Sequence, residues 1–71
     1  MLETSEKIRL LLKRKGKTVT ELAGDLGTSR QNMTNKLNRN NFSENELVNI
    51  AEALNCSLVL EFEDKDTKER L

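Results

Sequence analysis

The side chains best suited to chemistry in this chain lie between Ser29 and Lys36: Ser29, Arg30, Gln31, Asn32, Thr34, Asn35 and Lys36, with no Asp or Glu among them. The arginine fork of donors fits the N7 and O6 acceptors of guanine. Gln and Asn each set a donor beside an acceptor, as the major-groove edge of adenine does. A helix face that is merely solvated usually mixes in carboxylates, so this composition favours contact with a polyanion. The chemistry is recognition rather than bond-making. The chain has no His and one Cys, which leaves no ligand set for structural zinc and no His-based catalytic centre. No catalytic pair or triad stands out, and a domain this small has little room for a pocket. The expectation is a protein that is not an enzyme, with no metal, no cofactor and no small-molecule ligand.

Such a face needs a helix to carry it and a second element to hold that helix up. Residues 18–39 read as two short helices, roughly Val19–Leu26 and Ser29–Asn38, joined by a turn at Gly27. Thr18 and Glu21 form an S/T-x-x-E capping box, and Thr28 and Gln31 repeat the pattern before the second helix. Gly27 falls where the first helix must end, at a position suited to left-handed backbone. Leu22, Ala23, Leu26, Met33 and Leu37 share one inward face by helical spacing.

A helix precedes this pair and another follows it. Thr4 or Ser5 can cap the first, which runs to about Lys15 with Ile8, Leu11 and Leu12 inward and Gly16 at its end. The cations of Lys13-Arg14-Lys15 suit its C-terminal dipole, and the cluster with Lys17 is also a candidate for phosphate contact. Ser43 and Glu46 make a third capping box, opening a helix to about Leu54 with Leu47, Ile50, Ala51 and Leu54 inward and Asn55 closing it. Phe42 is placed in the core. The Asn-rich stretch 38–41 suits a turn.

From Ser57 the period changes to two. Leu58, Leu60 and Phe62 fall on one side and Val59, Glu61 and Glu63 on the other, which predicts a β-strand. A lone strand leaves its backbone groups unpaired, and no second strand is evident. The expected solution is a second copy of the same strand, antiparallel across a two-fold axis, with Leu58, Leu60 and Phe62 as the dimerisation residues. The rival is an extended tail laid over the helical core. Residues 64–71 are charged and expected to fray.

The pattern of Ala23, Gly27 four residues on, Ser29-Arg30-Gln31 opening the second helix, and the pair Met33/Leu37 resembles the helix-turn-helix of the Cro/repressor (XRE) family of phage and bacterial regulators. The resemblance covers about residues 6–55. It implies a mainly α, four-helix, lambda-repressor-like domain, here carrying a C-terminal β-strand for dimerisation: residues 1–56 for the DNA-binding domain, 57–63 for the strand and 64–71 for the tail. It also implies that the second helix of the motif reads double-stranded DNA in the major groove. Arg30, Gln31, Asn32 and Asn35 are then the base contacts. Thr18, Thr20, Thr28, Ser29, Lys36, Arg39 and Asn40 are the backbone contacts. One departure stands out: Val19 occupies a place where the family usually has a Gln that touches the DNA backbone.

The net charge of zero over 71 residues hides a strong asymmetry. Residues 1–42 carry +5 and residues 43–71 carry −5, so the half with the reading helix is the half suited to phosphates. No apolar run reaches membrane-spanning length and the opening MLETSEK lacks signal-peptide features. A cytoplasmic protein is expected, with no membrane partner and with Cys56 as a small buried hydrophobe. The expected function is a sequence-specific, DNA-binding transcriptional regulator, a repressor acting as a homodimer. The alternative is a protein-interaction module, an antitoxin or regulatory subunit, using the same fold without strong DNA binding.

Overall fold

A computed structural model describes residues 2–71. Four helices follow one another: α1 (Thr4–Lys15), α2 (Val19–Asp25), α3 (Arg30–Arg39) and α4 (Glu44–Ala53). Each opens on a residue with extended backbone and a polar side chain: Glu3, Thr18, Ser29 and Ser43. Thr18 Oγ1 accepts the Glu21 N–H at 3.1 Å, and Glu21 Oε1 accepts the Thr18 N–H at 3.1 Å. Ser43 and Glu46 repeat that reciprocal arrangement. Orphan N–H groups at both starts are thus satisfied without water. At α1 the cap is Glu3 rather than Thr4 or Ser5, because Ser5 is drawn into the interior.

Each helix stops at a left-handed residue. Gly16 (φ 66°), Gly27 (φ 68°), Asn40 (φ 52°) and Asn55 (φ 54°) turn the chain after α1, α2, α3 and α4 respectively. After α2 the Gly27 N–H donates to Gly24 O (3.1 Å) and the Thr28 N–H to Ala23 O (2.9 Å), the paired bonds of a Schellman motif. Lys17 and Cys56 close α1 and α4 the same way, donating to Leu12 O and Ala51 O. Gly24, inside α2, has open space where a Cβ would stand, so close packing does not explain it.

The core is the predicted one, with Ile8, Leu12, Leu22, Ala23, Met33, Leu37, Ile50 and Leu54 buried together. Leu11, Val19, Leu26, Phe42 and Leu47 pack half-buried against it. Leu22 has no exposed surface at all. It lies on α2, which packs on both α3 and α4, and so holds α3 against the rest of the domain.

The C-terminal β-strand is not present. Among the described residues there is no strand, and 57–62 run without regular structure. The physical reason is the one that made a partner necessary: within the chain, no hydrogen bond among the described residues engages the backbone of 57–61. The tail does not fray. It folds back as a tight hairpin, in which Phe62 and Leu71 exchange two backbone bonds of 2.8 and 2.9 Å and Glu63 bridges Arg70 antiparallel. Asp64 Oδ1 accepts the Asp66 N–H at 2.9 Å and organises the turn.

One interior polar contact joins the start of α1 to the end of α3. Ser5 is buried; its N–H donates to Asn40 Oδ1 (2.9 Å) and its hydroxyl donates to Leu37 O (2.6 Å). Asn40 therefore supplies both a left-handed backbone and the acceptor for the buried Ser5. Asn40→Gly keeps the first and loses the second, whereas Asn40→Ala loses both. The alanine variant is expected to be destabilised by about 2 kcal/mol and the glycine variant by about 1 kcal/mol. Urea unfolding of the two proteins checks this, and equal losses would show that backbone conformation is not part of what Asn40 contributes.

Candidate nucleic-acid interface

The face of α3 is set by what its opposite side buries. Met33 and Leu37 point into the core, so at 100° per residue Gln31 and Asn35 stand on the far side of the helix. Arg30, Gln31 and Asn32 are exposed and Asn35 is half-buried. The Gln31 Nε2 group donates to Asn35 Oδ1 at 3.2 Å, and among the described residues Gln31 Oε1 and the Asn35 amide hydrogens have no other partner. Arg30 makes no hydrogen bond or ion pair among the described residues, and its guanidinium projects from the first turn of α3.

The second capping box does not form as the sequence suggested. The helix begins one residue later, and Ser29 Oγ accepts the Asn32 N–H at 3.1 Å. Thr28 could not have completed the box, because its own N–H is already used by Ala23 O in the turn. Thr28 Oγ1 instead takes a long bond from Asn32 Nδ2 (3.4 Å), and Gln31 is left free of any capping role.

The candidate backbone contacts fall into two groups. Thr20 and Arg39 are exposed and make no side-chain bond among the described residues. Thr18 and Ser29 cap helices, Thr28 bonds Asn32, and Asn40 faces Ser5. Lys36 pairs with Glu46 of α4, a contact the sequence did not signal because it joins two helices. The Lys36 ammonium, and after it the Ser43 amide, holds the Glu46 carboxyl below its ordinary value. Lys17 is likewise engaged. Its ammonium reaches Asp25 at 2.8 Å and the Ala53 carbonyl at 3.0 Å, so it ties the end of α2 to the end of α4.

The geometry is therefore a short helix, braced at both ends, that carries amides and, among the described residues, two unpaired guanidinium groups (Arg30 and Arg39) outward and no carboxylate. A family model of the Cro/C1-type helix-turn-helix DNA-binding domain matches residues 7–64. The chain belongs to that family. No curated protein and no solved structure matches it. As a Cro/C1-type domain it is a DNA-binding regulator, and α2 and α3 are its helix-turn-helix. Its family match extends past Leu54, the last buried core residue, into the irregular segment and the first residues of the hairpin. Val19 is half-buried against the core, so this member has an apolar packing residue where the family's backbone-touching Gln would stand. Among the described residues no group of His, Cys, Asp and Glu could hold a metal ion, and no helix is long and apolar enough to cross a membrane.

Proposed function

We propose that this Cro/C1-type domain is a sequence-specific repressor that enters the major groove of an operator with the N-terminal end of α3. The observation that carries the reading is the carboxylate-free outer face of that helix, with Arg30 free and Gln31 and Asn35 bonded to one another. Arg30 reads guanine, and Gln31, Asn32 and Asn35 read neighbouring base edges. Thr20 and Arg39 meet phosphates directly. Thr18, Thr28, Ser29 and Asn40 fix register with whatever bonding capacity their structural partners leave, and Lys36 does so in competition with Glu46. Binding to duplex DNA measured at rising salt tests this. Phosphate contact releases counterions, so affinity must fall steeply with salt; a protein that ignores duplex at low salt would not be a repressor.

The repressor is proposed to be a homodimer joined through residues 57–63. Leu58, Val59, Leu60 and Phe62 are exposed large hydrophobics, and Val59 and Phe62 are 78% and 76% exposed. The adjoining backbone of 57–61 has no hydrogen bond among the described residues. Exposed apolar side chains beside unpaired backbone suit strand formation on association, as an edge that a second copy completes. Two reading helices would then address half-sites about 34 Å apart. Leu60→Lys is expected to convert a sedimenting dimer to monomer, and a variant that stays dimeric would place the interface elsewhere.

A second reading keeps the same fold for binding another protein. The pairing of Lys17 with Asp25 and of Lys36 with Glu46, which sets carboxylates in competition with phosphate for two cations, and the apolar Val19 favour it. Salt-independent association with duplex, or none, would turn the assignment that way.

A further inference from the structure

Lys36 is the one lysine on α3, in its last turn with Arg39. It lies on the flank facing α4, where Glu46 Oε2 takes its ammonium. The other oxygen of Glu46 is committed: Oε1 accepts the Ser43 N–H at 3.3 Å, while Ser43 Oγ accepts the Glu46 N–H at 3.1 Å. The capping box thus fixes the Glu46 side chain and aims its free oxygen at α3. Both partners remain open to solvent, with side-chain exposures of 41% and 35%, so an incoming phosphate can reach the same ammonium.

We infer that Glu46 is a built-in counter-ion that competes with DNA phosphates for Lys36. It is a positioning residue: it touches no base, and it sets how much of the binding is sequence-blind. A lysine attracts any phosphate whatever the base beside it, whereas Arg30 and the amides of α3 discriminate. Holding Lys36 on α4 lowers the phosphate-driven part of the affinity and leaves Arg30 and the amides to supply a larger share of what remains. The inference rests on the proposed reading of DNA by α3.

The test compares Glu46→Gln, Lys36→Gln and the double variant with the native protein, each titrated into a random-sequence duplex at several salt concentrations by fluorescence anisotropy. Gln at position 46 can still complete the capping box, and thermal melts confirm the fold of each variant. Freeing one cation is expected to steepen the slope of log affinity against log salt by about one, equivalent to a ~3-fold larger loss between about 50 and 200 mM salt. The same steepening must be absent when Glu46→Gln is added to Lys36→Gln. If it persists there, removal of a negative charge alone is responsible and the counter-ion role fails. A weaker-binding Glu46→Gln protein would mean that Glu46 aims Lys36 at a phosphate, which also overturns the inference. Native protein that shows no salt-dependent binding to duplex would sink the DNA-reading assignment itself, a result distinct from a native protein that binds while Glu46→Gln leaves the slope unchanged.

Discussion

Leu22→Ala is expected to destabilise the domain by about 2–5 kcal/mol, the cost of a lost leucine side chain plus the cavity it leaves. A domain of this size has a total stability of only about 5 kcal/mol or little more, so much of the population should be unfolded at 37 °C. The position is chosen by structure. Leu22 has no exposed surface, and its helix is the one that packs on both α3 and α4. Seven residues of α2 cannot hold together as an isolated helix; they are helical because Leu22 and Ala23 are buried. Circular dichroism against temperature and urea measures the effect. A loss below ~1 kcal/mol would mean that the domain collapses readily around the vacancy, and that α3 does not depend on α2 for its support.

Arg30→Ala addresses the proposed site rather than the fold. Arg30 is exposed and makes no bond among the described residues, so its removal should leave the melting temperature nearly unchanged. On the operator the loss is expected to be about 1–3 kcal/mol, with relaxed preference at the base pair it reads. The comparison that decides is between the operator, once selected from a random pool, and random duplex. Equal losses on both would make Arg30 a phosphate contact, since phosphate contacts weaken binding uniformly across sequences.

Local signals in the sequence carried most of the fold. The apolar spacing of Leu22, Ala23, Met33 and Leu37 identified the inner face, and the boxes at Thr18 and Ser43 marked two helix starts, because both patterns act within a few residues. The contacts that tie the helices to one another were not legible. Ser5 with Asn40, Lys17 with Ala53 and Lys36 with Glu46 join residues 35, 36 and 10 positions apart, and nothing in local spacing announces them. Thr28 misled for a related reason. Its S/T-x-x-Q pattern was sound, but its N–H had already been taken by the turn that Gly27 permits. The alternation at 58–62 named residues that prefer to be paired, and pairing requires a neighbour that periodicity alone does not supply. Asn40 was legible as a turn residue and not as the acceptor for the start of α1.

The bracing of α3 has a kinetic consequence. Its N-terminal end hangs from the Gly27 turn, its C-terminal end is fixed by Asn40 to Ser5, and its flank is held by Glu46. A helix secured at three points has no ordering step left to complete when it meets a duplex. On the proposed reading, each encounter tests a stretch of sequence as quickly as the protein moves along it, with the +5 half of the chain steering it toward phosphate and no folding step on the DNA. A regulator built this way gains speed of search from the same contacts that keep its reading helix in place.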